Sequence, residues 1–315
     1  MWRSPARLSP LLLAAAVAVA VAVASGCGRS ATSSSSSSSS SSAGKVRVVA
    51  AENFWWSIAA QLGGERAVVR SVVVNPDTDP HTYEPIASDA VLIARSQLAI
   101  VNGLGYDGWA SKILSADPSS SRAVLDVGKL LGLDAGDNAH QWYSPASVRR
   151  VIDAIAADYE RLDPAGGAYY ARRRHALEGP GLAEFDWLRR EIRRRFAGVP
   201  IGYSESIFQP LGEDLGLRLL TPYSFVKAIS EGTDVSSADK QTVDRQAAKR
   251  LIKVWVYNSQ NATPDVQRVN QLARAAHVPT TTITETLSPA SDTFQQWQAA
   301  QLASLRAALH RATGR

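Results

Sequence analysis

The chain has 315 residues, 45% of them hydrophobic and 20% charged, with one cysteine and a formal charge of +5, of which Arg3 and Arg7 supply two. So mild an excess of positive charge makes no case for nucleic acid as a partner, and a lone cysteine excludes an internal disulfide. The composition from about Lys45 onward is that of an ordinary globular protein, long enough for two lobes.

Arg3 and Arg7 precede an uncharged apolar run from Leu11 to Ala24, followed by Ser25-Gly26-Cys27. This is the pattern of an export signal, and the run is short for a membrane span. Cys27 follows two small residues, where a bacterial lipoprotein is cleaved and acylated. Residues 1–26 therefore read as a lipoprotein signal peptide, and Cys27 reads as the lipidation site that anchors the chain on the extracytoplasmic face of the cell membrane. An ordinary signal peptide with an incidental cysteine is the plainer alternative. The nearly pure serine run from Ser33 to Ser42 is too polar to bury a core, so 27–44 read as a tether.

The first half then alternates strand and helix signals. Strands are expected at Val46 to Ala51, Ala67 to Val74, Leu98 to Asn102 and Ala123 to Asp126, separated by helical patterns such as "FWWSIAAQLGG" and "SDAVLIARS". The loop "NPDTDPHTYEPIASD" carries His81 between prolines and carboxylates. His140, in "NAHQWYSPASV", stands just ahead of a helix opened by Ser144-Pro145.

The basic stretch from Tyr169 to Phe196 interleaves its arginines with Glu178, Glu184, Asp186 and Glu191, while Leu182, Phe185, Leu188 and Ile192 recur at helical spacing. It reads as a solvated helix with one buried face, with His175 on it as a bland residue; Pro180, flanked by glycines, is expected to break or kink it. The second half repeats the alternation, with strands at Pro200 to Ser204, Leu217 to Thr221, Val254 to Asn258 and Thr280 to Thr284. The fold class is α/β: two lobes, each with a mostly parallel sheet flanked by helices, joined by a helical linker. The lobes fall at 45–163 and 197–315, with the linking segment at 164–196. His277, at the end of "PDVQRVNQLARAAH", reads as a helix cap.

In open α/β sheets, ligands collect outside the carboxyl ends of the strands. His81 follows the second strand, Glu205 ends the strand in "PIGYSES", and Glu285 ends the strand in "TTTITETLSP". With His140 these give two side chains from each half, facing an interlobe cleft. Two imidazoles and two carboxylates suit a borderline divalent transition metal. Each residue alone also has a bland reading, as a solvated loop side chain or a helix cap.

"DPHTYEPIASD", "NGLGYDGW", "HQWYSP", "YSESIFQPLGEDLGL" and "TETLSP" together resemble the solute-binding lipoproteins of bacterial ABC importers for zinc, manganese or ferrous iron. The resemblance runs from Val46 to the carboxyl terminus, with the motifs in the family's order. It implies metal ligation by His81, His140, Glu205 and Glu285. Glu205 is matched through the following "IFQPLGEDLGL", which aligns with an aromatic-rich helix ending in Gly-Leu. The chain departs from the family after His140, where Gln141 to Pro145 replace the usual Trp, Leu, Asp and Pro.

The resemblance also implies a function: a monomeric extracytoplasmic receptor that captures Mn2+ or Zn2+, less readily Fe2+, and delivers it to a membrane permease, with no catalysis. Two carboxylates favour manganese over a site of three histidines, whereas the general affinity order favours zinc; the resemblance adds weight to manganese, since the histidine-rich loop that some zinc importers carry between the first two ligands is missing from Ala110 to Ala139. Asp77, Asp79, Glu84 and Asp89 are candidates to orient His81. Trp55, Trp56 and Trp142 are candidates to exclude water, though ordinary core packing explains them more simply. Two rival classes are a zinc hydrolase, for which no HExxH or separate nucleophile and base is present, and a surface adhesion lipoprotein that retains the fold.

Overall fold

Seven residues, Val46–Glu52, form strand β1, and all but Arg47 are buried. A central parallel strand is covered on both faces, which is why this segment is a nearly continuous apolar run and not an alternation. The computed structural model describes residues 44–76, 78 and 83–315. Cys27 and His81 lie outside the described residues, as do Asp77 and Asp79.

The first sheet adds β2 (Ala67–Val73), β3 (Leu98–Val101) and β4 (Ala123–Asp126) in the order β2-β1-β3-β4, all parallel. Its helices are α1 (Asn53–Gly63), α2 (Ala87–Ala94), α3 (Gly108–Ala116), α4 (Val127–Leu131) and α5 (Pro145–Leu162). Helices α6 (Gly167–Ala176) and α7 (Ala183–Phe196) lead to the second sheet, formed by β5 (Pro200–Tyr203), β6 (Arg218–Leu219), β7 (Val254–Asn258) and β8 (Thr280–Ile283). That sheet is also all parallel, in the order β6-β5-β7-β8, with α8 (Gln209–Asp214), α9 (Tyr223–Ser230), α10 (Ser237–Ala248) and α11 (Pro264–Ala275). The expected pair of parallel sheets is observed, and the two have the same topology. The strand expected from Leu217 to Thr221 shortens to Arg218–Leu219.

In each sheet the winding direction reverses between the first strand and the third. Crevices therefore open between the ends of β1 and β3, and between the ends of β5 and β7.

The two halves share one apolar core. A helix not anticipated from the sequence, α12 (Phe294–Thr313), ties them together: Gln295 exchanges amide hydrogen bonds with Gln61, and the Phe294 N–H donates to Ser57 Oγ at 2.9 Å. From the first half, the Tyr143 hydroxyl donates to the Thr284 carbonyl at 2.8 Å.

The basic stretch behaves as its periodicity implies. Phe185, Leu188, Ile192 and Phe196 are buried, while Arg189 pairs with Asp186 and Asp214 and Arg195 with Glu191. Among the described residues, no helix is long and apolar enough to cross a membrane. Pro180 does not end the helix outright. The backbone widens into a π turn over Leu177–Gly181, closed by a Leu182 N–H bond to the Leu177 carbonyl at 2.9 Å. Widening accommodates a residue that has no N–H and whose ring would meet the carbonyl four residues back. Gly181 fits the same turn, since a Cβ there would stand 3.1 Å from the Ala176 carbonyl oxygen.

Candidate metal centre

His140 is held from three sides. It precedes a 3₁₀ turn, Gln141–Tyr143, after which Ser144 accepts the Ser147 N–H and Pro145 opens α5. The preceding carbonyl, that of Ala139, accepts a 2.9 Å hydrogen bond from Asn102, whose own Oδ1 is fixed by the Trp55 indole N–H at 3.1 Å. The imidazole centroid lies 5.2 Å from that of Trp142, edge to face, and 6.0 Å from that of Tyr106; Trp142 stacks on Phe54 with centroids 4.0 Å apart.

The ring's tautomer follows from its neighbours. Asn138 Nδ2 donates to the Ser206 carbonyl at 2.8 Å, which turns Asn138 Oδ1 toward His140 Nδ1, 2.8 Å away. That oxygen can only accept, so Nδ1 carries a proton and Nε2 is the nitrogen turned toward the cleft. Nε2 faces Glu285 Oε1 at 3.5 Å. A histidine whose far nitrogen is fixed by a hydrogen bond is arranged as metal-ligating histidines are.

Glu205 and Glu285 follow β5 and β8, as their sequence positions imply, and are 2% and 6% exposed. Asn258, at the end of β7 and fully buried, joins them: its Nδ2 donates to Glu205 Oε2 at 2.6 Å and to Glu285 Oε1 at 3.3 Å. Asn261 donates to Glu205 Oε1, and the Tyr106 hydroxyl donates to Glu285 Oε2 at 3.0 Å. Gln260 accepts the Glu285 N–H at 2.6 Å and sets that loop. A cavity of about 20 Å³ is lined by Thr78, Glu205, Ser230, Asn258, Asn261 and Glu285, room for about one small ion or water. A wider, open cavity of about 440 Å³ adjoins it along Tyr106, Asn138, His140, Ser206, Tyr223 and Lys227.

The structure thus brings together three of the four anticipated residues, His140, Glu205 and Glu285; His81 lies outside the described residues. Among the described residues, which leave out His81, no three His, Cys, Asp or Glu side chains form a coordination set ready-made, and Asn258 bridges the two carboxylates. Trp142 both packs the core and walls His140, Trp55 orients Asn102, and Trp56 bonds the Val69 carbonyl at 3.2 Å in a purely structural role. Glu84 is exposed, and Asp89 serves α2, accepting the Ile86 N–H and the Tyr83 hydroxyl. His175 and His277 are exposed. His277 closes α11 with positive φ, its N–H bonded to the Arg274 carbonyl and that of Val278 to the Ala273 carbonyl.

Sequence reasoning missed Tyr106, Asn138, Asn258 and Asn261. Asn258 was within reach, since the end of β7 faces the same crevice as the end of β5. A further buried acid, Glu52, ends β1 at the matching crevice of the first sheet. Burial, with Asp107 beside it, pushes its pKa well above the usual range. Burial likewise raises Asp107 to about 6, although the N–H groups of Asn102 and Gly103 donate to it.

The fold has solved counterparts. The Mn-bound periplasmic metal binding protein from Candidatus Liberibacter asiaticus superposes with a TM-score of 0.69 at 18% identity, over 84% of this chain and all of that one. The binding protein FpvC from Pseudomonas aeruginosa in complex with Mn2+ superposes at 0.66 with 19% identity, over 85% of this chain and 99% of that one. The family described as zinc-uptake complex component A, periplasmic, matches residues 48–308, and the chain belongs to it.

Among curated relatives, the manganese-binding lipoprotein MntA of Halalkalibacterium halodurans is 25% identical over 181 residues, 54% of this chain and 58% of that one. The iron-binding protein YfeA of Yersinia pestis is 28% identical over 187 residues, 56% of this chain and 58% of that one. The chain thus spans under three fifths of the length of either relative.

Proposed function

We propose that the chain is the extracytoplasmic receptor of an ABC importer. It captures a divalent transition metal ion, Mn2+ or Zn2+ and less readily Fe2+, through His81, His140, Glu205 and Glu285, and passes it to a membrane permease. The observation that carries this reading is the meeting of His140 from the first half with Glu285 from the second, Nε2 to Oε1 at 3.5 Å, in a buried cleft that also holds Glu205. Buried carboxylates and an imidazole supply the donor types such an ion needs.

Four protein donors leave no open position for a reacting water, so the site holds and releases its ion without turnover. Its two sides come from two lobes, 45–163 and 197–315, linked through 164–196, so small lobe movements open and close it. Relatives named as manganese- and iron-binding proteins, and others named as substrate-binding lipoproteins of metal ABC transporters, support the receptor reading over an adhesion protein. The same names support a lipid anchor at Cys27, outside the membrane and beside the permease. The receptor acts as a monomer.

The test is elemental analysis of protein purified without added metal, followed by competition between zinc and manganese. About one equivalent of transition metal, exchangeable and lost in His140→Ala, is expected. Protein that neither carries nor takes up either ion would refute the reading.

A further inference from the structure

The amides around the two glutamates do more than orient them. Each of the four carboxylate oxygens accepts at least one hydrogen bond from a neutral donor: Glu205 from Asn258 and Asn261, and Glu285 from Asn258 and Tyr106. Asn258 is itself fixed. Its Oδ1 accepts the Gln260 N–H at 2.9 Å, and its own N–H donates to Ser204 Oγ at 3.0 Å. Asn261 also reaches the Ile229 carbonyl at 3.3 Å.

These donors are uncharged, so the pair of carboxylates keeps its attraction for a dication. What they take up is lone-pair directions. A carboxylate gripped on both oxygens can offer an ion one oxygen at modest cost, whereas chelation through both requires breaking the grip. Single-oxygen ligands favour a low coordination number and tetrahedral geometry, which suits zinc; manganese prefers more numerous donors in an octahedron.

We infer that Asn258 and Asn261 are specificity-determining residues that withhold carboxylate oxygens from the ion and tilt the site toward zinc. The inference rests on the receptor reading above. It opposes the preference for manganese that two carboxylates alone would give. Of the two amides Asn261 is the more dispensable, being half-buried at the edge of the small cavity, so its removal frees Glu205 Oε1 to chelate with little harm to the fold.

The experiment measures Zn2+ and Mn2+ affinities of the full chain and of Asn261→Ala and Asn258→Ser, with X-ray absorption of the Mn2+-loaded forms. The expected result is a zinc-to-manganese affinity ratio that falls about tenfold or more in Asn261→Ala, with an added oxygen scatterer around manganese. Asn258→Ser, which keeps a donor at the centre of the bridge, shifts the ratio less. A merely structural asparagine would weaken both ions alike and leave the ratio where it was. An unchanged ratio, or one that moves toward zinc, overturns the inference while leaving the receptor reading intact. A wild-type chain that binds neither ion overturns both.

Discussion

His140 Nε2 and Glu285 Oε1 stand 3.5 Å apart, the imidazole presented from just ahead of α5 in the first half and the carboxylate from the loop after β8 in the second. His140→Ala is expected to weaken metal binding by about 3 kcal/mol, over a hundredfold, while the apoprotein stays folded on the core and the Gln61–Gln295, Ser57–Phe294 and Tyr143–Thr284 hydrogen bonds that the halves share. His175→Ala and His277→Ala should leave affinity nearly unchanged, because both side chains are exposed, and His277 stands ahead of β8 whereas Glu285 follows it. Calorimetric titration of the three variants checks this, and equal losses in His140→Ala and His277→Ala would refute it.

Asn138 sets the tautomer of His140 by accepting from Nδ1 while its amide nitrogen is committed to the Ser206 carbonyl. Asn138→Ala is therefore expected to lower metal affinity about ten- to a hundredfold, the range typical of groups that orient a ligand. Asn138→Asp keeps an acceptor for Nδ1–H and should retain most of the affinity. If the aspartate variant is as weak as the alanine variant, orientation of the imidazole is not what Asn138 provides.

Close carboxylates suggest that removing one should relieve repulsion in the metal-free protein. The amide donors around Glu205 argue otherwise. In Glu205→Gln, one end of the new amide meets the Nδ2 of Asn258 or Asn261, donor against donor, so a charge-assisted hydrogen bond is lost. The apoprotein should lose about 1–3 kcal/mol, and stabilisation by saturating metal should shrink as well. Glu205→His is expected to penalise manganese more than zinc. Thermal melting with and without each ion measures all three effects, and melting temperatures in metal that match the wild type would show that the second half supplies other ligands.

Glu52 and Asp107 make folding depend on pH. Both carboxyls are buried with their pKa raised in the folded protein, Asp107 to about 6, so the folded state holds protons that the unfolded state has released. Stability is fully present below the unfolded values and falls as pH rises toward the folded ones, by about 1.4 kcal/mol per pH unit for each proton of difference. The metal-free protein is therefore expected to melt at lower temperature as pH rises from about 4 to 6. Glu52→Gln should melt higher than the wild type at neutral pH and show a shallower slope. A variant less stable than the wild type at pH 7 would mean that Glu52 is ionised and held by donors.

The proposed lipid anchor at Cys27 calls for a separate experiment. Cys27→Ala is expected to move the protein from the membrane fraction to the soluble extracytoplasmic fraction, with loss of detergent partitioning. Continued membrane retention would sink the lipid anchor.

Much of this was legible from local pattern. The buried strands announced themselves as apolar runs, the amphipathic face of α7 by Phe185, Leu188 and Ile192, and the start of α5 by Ser144-Pro145. Glu205 and Glu285 followed from strand ends and topology. What stayed hidden depends on contacts between distant segments. Nothing near Asn258 in sequence says that two glutamates, 53 and 27 residues away, will converge on its amide. Tyr106 reaches Glu285 across 179 residues. The C-terminal helix α12 has its apolar residues diluted by glutamines, and those glutamines, Gln295 and Gln301, turned out to be interlobe hydrogen-bonding groups. Pro180 signalled an interruption, but a proline alone does not distinguish a break from a π turn.

The receptor function requires that one ion be held jointly by the two halves of the chain. Anomalous diffraction from crystals grown with Mn2+, collected on both sides of the metal edge, tests it most directly. One strong peak is expected in the interlobe cleft, about 2.0–2.3 Å from His140 Nε2 and from an oxygen of both Glu205 and Glu285. A peak bonded to residues of only one half, or an ordered metal elsewhere with this cleft unchanged, would contradict it.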